Sequence, residues 1–360
     1  MSTFDRYARP AGATEWQVEQ RFVNTFRWEY ADGRDKLLGL YEKGKRLQWN
    51  AAERIDWSQD LDPENPEGLP DEIIPIFGSD VWARLTAAER ARVRTHFQAW
   101  QLSQFLHGEQ GALVCTAKIV QQVPAMDAKF YAATQVIDEA RHVEAYSRLL
   151  HEKFQLAYPI NPYLQQLLND TLVDSRWDFT YLGMQVLIEG VALAAFGLIR
   201  DQATNPLAQS VTAYVMQDEA RHVAFGRLAL RDYYPQLSDK ERDEREQFVV
   251  EGCYLLRDRF LAEEVWEALG LPVEQCKRYV EQSEMMRLYR TSLFTRIVPT
   301  IKDIGLWGPR IRKAYADMNI LGFAEADLDA LAVRDEQIAD GFDRRRQEIE
   351  RVAALATAAA

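Results

Sequence analysis

The pentapeptide Asp-Glu-Ala-Arg-His occurs twice in this chain, at Asp138–His142 and at Asp218–His222, and it narrows the folds open to the chain. Each copy holds a Glu-x-x-His pair, Glu139 with His142 and Glu219 with His222. Residues three apart on an α-helix share a face, so each pair presents a carboxylate and an imidazole to one point. Two more glutamates stand in register with these pairs. Glu109 is the only acidic residue between Glu89 and Asp127, and Glu189 the only one between Asp178 and Asp201. A lone carboxylate in such apolar helices is costly to bury unless it is paired, protonated or bound to metal. Glu109 precedes Glu139 by 30 residues, Glu189 precedes Glu219 by 30, and a shift of 80 carries Glu109, Glu139 and His142 onto Glu189, Glu219 and His222. The spacing predicts an internal duplication: two helix hairpins, each giving one Glu and one Glu-x-x-His to a pair of metal ions in an all-α four-helix bundle.

The remaining periodicity is helical, and Gly and Pro fall mainly between segments. It predicts a long amphipathic helix over 15–47, a loop over Asp56–Pro75, and bundle helices over Thr86–Gln122, Ala125–Phe154, Pro162–Asp201 and Asn205–Tyr234. Short connections at Pro124 and Asn205-Pro206 make the two hairpins, and the longer link over 155–162 crosses between them. The expected organisation is an N-terminal helical extension (1–85), the bundle (86–235), C-terminal helices serving packing, lid or dimer interface (236–352) and a frayed tail (353–360). At least three helices are expected beyond 238, divided at Gly270-Leu-Pro and near Gly305–Pro309.

The net charge of −12 argues against a nucleic-acid partner, which would call for clustered Lys and Arg. No run is read as reaching the roughly 20 apolar residues that span a bilayer, and the opening residues lack the apolar stretch of a secretory signal. Cys115, Cys253 and Cys276 are an odd, scattered set, so no disulfide framework or zinc site is indicated. These features together point to the cytoplasm. Nine Trp and fifteen Tyr are read mainly as packing residues.

With its ligands in the order Glu, Glu-x-x-His, Glu, Glu-x-x-His, the chain resembles the ferritin-like di-iron carboxylate oxygenases and oxidases over roughly residues 90–235. That group includes the hydroxylase subunits of bacterial multicomponent monooxygenases, the ribonucleotide reductase small subunit, acyl carrier protein desaturases and the di-iron N-oxygenases. The Asp-Glu-x-Arg-His form is most similar to the monooxygenase hydroxylases. The resemblance implies that Asp138 orients His222 and Asp218 orients His142, since a ligating imidazole normally donates its other N–H to a carboxylate. Arg141 and Arg221 would neutralise these aspartates. Leu193 stands where the monooxygenase hydroxylases carry Thr. Val215 stands where some di-iron N-oxygenases carry a third His, which weighs against close membership there. His107, two residues from Glu109, should point elsewhere on the helix. Tyr146 lies one turn beyond His142 on the metal-facing stripe, a candidate radical or pocket residue, because the radical tyrosine of the ribonucleotide reductase small subunit follows its Glu-x-x-His at the same interval.

Carboxylate-rich, two-His ligation suits hard, redox-active ions. The expected cofactor is two iron ions, with a Mn/Fe pair the alternative, and O₂ is the co-substrate. The leading function is C-hydroxylation or N-oxygenation of a small organic substrate entering near Gly108, Gly111, Ala112 and Gly190. A reductase or ferredoxin would supply electrons, and a homodimer is expected. The alternatives are an oxidase that builds a tyrosyl radical or a Mn/Fe cofactor, and a ferroxidase. About 90 residues precede the bundle and over 100 follow it, more than iron storage needs.

Overall fold

The computed structural model describes residues 7–8, 16–24, 26, 28, 30 and 33–358. Two helical hairpins form the centre. In the first, α2 (Ala87–Gln122) runs into α3 (Met126–Arg148), which continues as a π-helical stretch, Leu149–Phe154. Thr86 opens α2 with a capping box, its hydroxyl bonded to the Glu89 amide and the Glu89 carboxylate returned to the Thr86 amide. The second hairpin joins α5 (Trp177–Gln202) to α6 (Pro206–Tyr233). Asn205 caps α6 through the amides of Leu207 and Ala208, with Pro206 at the first helical position. A shorter helix, α4 (Pro162–Val173), precedes α5 and is capped by Asn161 in the same way. Around this centre lie α1 (Asp35–Arg46), α7 (Asp239–Asp258) and α8 (Leu328–Ala358), with several short helices between α7 and α8.

Four sequence readings are corrected by the structure. The helix expected over 15–47 is confined to α1, and the described residues before it are not helical. Arg34 adopts an extended backbone, and its amide and guanidinium bond Asp127 at the start of α3, tying the strap to the bundle instead of letting it coil. The third bundle helix is interrupted at Asp174–Arg176. Lys118, buried on α2, donates to the carbonyls of Leu172 and Asp174 at 2.7 Å each and so holds the freed end of α4. The backbone of the expected tail is helical as far as Ala358. Finally, α5 is by length and composition apolar enough to cross a membrane, but 78% of its most apolar window is buried inside the protein. It is a core helix, packed against α2, α4, α6 and α7.

Inside α5, Leu182–Ile188 widens into a π-helix immediately before Glu189. One extra residue per turn at this point rotates the following stripe relative to a regular helix, a device common at functional sites. Glycines let the helices close up. A methyl on Gly111 would collide with Leu168, and one on Gly226 would press on Gln185.

Candidate metal centre

All six duplicated ligands are gathered in the middle of the bundle, and each is at least 95% buried. Ligand atoms of Glu109, Glu139, His142 and Glu219 lie within 4.8 Å of one another, and those of Glu139, Glu189 and His222 form a second such group. Glu139 belongs to both groups. The His142 Nδ1 lies 3.2 Å from Glu109, 3.4 Å from Glu139 and 3.1 Å from Glu219. The His222 Nδ1 lies 3.1 Å from Glu139 and 3.3 Å from Glu219. Both imidazoles therefore turn the same nitrogen toward the carboxylates.

Their other nitrogens cross between the repeats. His142 Nε2 lies 3.1 Å from Asp218 and His222 Nε2 lies 3.2 Å from Asp138. Arg141 bridges Asp138 and Asp218, reaching the latter at 2.8 Å, and Arg221 bonds Asp218. Two partners were not read from the sequence. Gln48 donates to Asp138 at 2.7 Å and Trp49 Nε1 donates to Asp218 at 2.8 Å, both from the chain just beyond α1. A third is Gln135, whose amide donates to Glu139 at 2.8 Å and Glu189 at 3.0 Å. Gln135 sits one turn before Glu139 on the same face, so its spacing could have drawn attention. The shift of 80 carries Gln135 onto Val215. The duplication is thus polar on one side and apolar on the other.

Without ions the donor set is unsatisfied. One oxygen each of Glu139 and Glu189, both oxygens of Glu219 and the His222 Nδ1 have no hydrogen-bond partner. Buried polar atoms are normally paired, and four carboxylates without neighbouring cations repel one another. Burial, then the charge of Glu219, pushes Glu109 up to about 8. Burial and Glu219 also raise Glu189 well above the usual range. Glu139 would likewise be raised by burial, but the charge of His222 and its contacts with both imidazoles hold it well below. Burial disfavours the charged imidazoles, yet Glu109 beside His142 and Glu139 beside His222 raise both. Protons stand in for missing positive charge. Four carboxylates and two imidazoles with orphaned, converging atoms fit two hard divalent cations, iron or manganese by donor type.

A cavity opens against this cluster. It is lined by Glu109, Glu189 and Glu219 at one end, by Phe105, Met184, Ile188 and Phe196 along its walls, and by Gln104 and Arg259 elsewhere. Its volume of about 20 Å³ holds a water molecule and no arene, so substrate entry requires side chains to turn aside. Gly108 and Ala112 line it, and a methyl on Gly108 would meet nothing within 4 Å. Gly190 instead packs on Ile297, and Gly111 on Leu168. Tyr146 is fully buried behind this wall, stacked near Phe105 and Phe196, and its hydroxyl has no partner. Leu193 is buried in the same core. His107 bonds the Tyr158 carbonyl at 2.9 Å and faces away from the cluster.

The family model described as P-aminobenzoate N-oxygenase AurF matches residues 31–305. No curated protein matches the chain. Among solved structures, an R2-like ligand-binding oxidase mutant reconstituted with a Mn/Fe cofactor is 19% identical, over 77% of this chain and 96% of its own, with a TM-score of 0.46. A Synechococcus protein with aldehyde deformylating oxidase activity is 16% identical, over 64% of this chain and 98% of its own, with a TM-score of 0.44. The ribonucleotide reductase Rnr4 homodimer from Saccharomyces cerevisiae is 14% identical, over 77% of this chain and 82% of its own, also at 0.44.

Proposed function

Because this chain belongs to the P-aminobenzoate N-oxygenase AurF family, a di-metal oxygenase family, we propose that it oxygenates the nitrogen of a small aromatic amine. The single observation that carries the reading is the cavity that ends directly on Glu109, Glu189 and Glu219. Ligands that face a cavity can leave a position open for a reacting molecule, as a purely structural metal site does not. Val215, read from the sequence as weighing against this family, is spanned by the match and does not exclude the chain from it.

In this reading Glu109, Glu139, His142, Glu189, Glu219 and His222 hold the ions. A redox-active pair bound there supplies the reduction of O₂ and the transfer of one oxygen atom. The protein supplies the rest. Asp138 and Asp218 fix the imidazoles with Nδ1 inward, and Gln135 holds Glu139 against Glu189. Phe105, Met184, Ile188 and Phe196 give the reacting end an apolar wall, and Phe105 and Phe196, packed edge to face at 4.6 Å, must part to admit an aromatic ring. The first oxygenation combines R–NH₂ and O₂ with two electrons and two protons to give R–NHOH and water. The amine does not provide those electrons, so we infer an external reductase or ferredoxin. We also propose a homodimer, supported by the exposed Val23, Phe26 and Trp28 of the N-terminal strap. A cytoplasmic setting is supported by Cys115, Cys253 and Cys276, all free and buried.

The test is to load the protein anaerobically with ferrous iron, supply a chemical reductant and O₂ with 4-aminobenzoate, and analyse products by mass. An N-hydroxy, nitroso or nitro product carrying oxygen from ¹⁸O₂ is expected. Ring hydroxylation alone would replace N-oxygenation by C-hydroxylation.

A further inference from the structure

Outside the metal cluster, Glu67 is the only described acidic residue whose two carboxylate oxygens are both buried without a hydrogen-bond partner. Its side chain is sealed from solvent. Burial raises the carboxyl to about 8, so it carries a proton at neutral pH. The backbone holds it in place. The Glu67 amide donates to the Gln98 side chain at 3.0 Å, and its carbonyl accepts from the amides of Thr204 and Asn205 at 3.2 Å each. Gly68 follows in the left-handed region at φ 65°, closed against Thr204. The turn is therefore pinned between α2 and the link from α5 to α6. A buried acid left without partners destabilises a fold, which an apolar side chain there would not do.

A buried polar file leads from Glu67 to the cavity. Gln98, Gln101 and Gln104 follow one another at every third position of α2, each neighbouring the next, and all three are buried. They span a rise of about 9 Å along the helix. Gln98 meets the Glu67 amide, Gln101 Nε2 donates to the Tyr289 hydroxyl at 3.2 Å, and Gln104 lines the cavity with Glu109, Glu189 and Glu219. Tyr289, on the helix Glu284–Ser292, lies near both Glu67 and Arg259, since its phenol feels both charges. Arg259 lines the cavity in turn. The other titratable group that feels Glu67 is Tyr146 on α3. Gln101 Oε1 and Arg259 Nε are, like both Glu67 oxygens, buried with no partner. Buried polar atoms in this state are met by ordered water, and the cavity itself has room for one molecule.

Resting on the reading that this centre reduces O₂, we propose that Glu67 is the proton donor for that reduction, joined to the cavity by water held among Gln101, Tyr289 and Arg259. N-oxygenation and C-hydroxylation alike consume two electrons and two protons, and one oxygen atom leaves as water. The electrons come from the external reductase inferred above. The cavity water gives a proton to the departing oxygen atom. The deficit left behind is negative, and it moves outward past Arg259, whose cation favours it, until the Glu67 O–H bond breaks and fills it. Glu67 is left as a carboxylate and regains its proton from solvent at its own turn, where Asp62 and Glu64 are exposed.

Single-turnover mixing of the anaerobic, ferrous-loaded protein with O₂ tests this, with oxygen uptake followed across pH in H₂O and D₂O. Native uptake should slow as pH rises through about 8, where Glu67 loses its proton. Glu67→Gln should take up O₂ on the order of tenfold more slowly at neutral pH, lose that pH dependence and show a larger solvent isotope effect. Glu67→Asp should keep part of the rate, and both variants should bind ferrous iron as the native protein does. Infrared difference spectra of the metal-free native and Glu67→Gln proteins should show a protonated carboxyl at neutral pH that disappears above about 8. An unslowed Glu67→Gln, a slowed one that keeps the native pH profile or has lost iron, or the absence of that carboxyl band would each overturn the proposal. A native protein that takes up no O₂ retires the oxygen-reducing reading and the proposal with it, whereas native uptake that Glu67→Gln leaves unchanged retires Glu67 alone.

Discussion

His142 Nε2 lies 3.1 Å from Asp218, a residue 76 positions away in the other repeat, and His222 makes the reciprocal contact with Asp138 at 3.2 Å. Neither hairpin therefore completes the cluster of carboxylates and imidazoles alone. Each repeat carries the aspartate that contacts the imidazole of the other, and Arg141 bonds both aspartates. The duplication is interlocked by its hydrogen bonds as well as by its packing.

Removing one of these aspartates should loosen a ligand without deleting it. Asp218→Ala is expected to weaken ferrous binding by roughly 10- to 100-fold, since the imidazole loses its fixed orientation. Anaerobic titration with ferrous iron measures this, and an unchanged affinity would remove Asp218 from the site.

Gln135 and Val215 occupy equivalent places in the two repeats, yet only Gln135 touches ligands. Gln135→Val makes the halves alike. It should weaken the ion held by Glu189 and His222 by roughly tenfold and affect the other ion less, giving two separated binding steps. A single step of native affinity would show that Gln135 does not hold the ligands.

The pH dependence follows from the raised carboxyls. Glu109 and Glu67 are both pushed up to about 8 by burial, from an ordinary 4.5. In that interval the folded, metal-free protein binds more protons than the unfolded chain, so its stability falls as pH rises. The loss is about 1.4 kcal/mol per pH unit for each fully titrating group. Melting of the metal-free protein should decline from pH 5 to pH 8 and then level. Ferrous binding should strengthen over the same range, because ions displace protons from Glu109 and the imidazoles. Metal-free melting that rises toward pH 8 would contradict this.

The bundle and the convergence of four inward carboxylates and two imidazoles were legible because type and spacing are local: a period of 3.6 and an offset of 80 need no tertiary knowledge. Residues that reach the site from elsewhere were not. Gln48 and Trp49 act across 90 and 169 residues from a segment whose helix was read as too long, and nothing in their neighbourhood marks them. Arg259 lies in the C-terminal region read as packing, lid or dimer interface, among charged neighbours indistinguishable from a solvated face. The break between α4 and α5 was hidden because Lys118, which stabilises it, belongs to another helix.

Two glycines three residues apart on α2 should respond oppositely to one methyl group. Gly108→Ala meets open space and gains roughly 1 kcal/mol of helix propensity. Gly111→Ala drives into Leu168 and should lose about 1–3 kcal/mol through overpacking. Denaturant midpoints of the two variants decide it, and a tolerated Gly111→Ala would show that the α2–α4 contact can yield.

Tyr146 separates the oxygenase reading from the radical-generating one. Its ring is fully buried against Phe105 and Phe196, and its hydroxyl bonds no described acceptor. Burial, with the nearby charges of Glu109 and Glu219, raises the phenol well above its ordinary range. A tyrosine oxidised to a neutral radical must give up its proton, and this environment opposes the loss. Freeze-quenched electron paramagnetic resonance of the ferrous protein mixed with O₂ should therefore show no persistent tyrosyl signal. Tyr146→Phe should keep the iron content and O₂ uptake within about twofold, because the substitution removes only an unpaired hydroxyl from an apolar wall. A stable radical that disappears in Tyr146→Phe would make this centre a radical generator, and the cavity beside it would need another explanation.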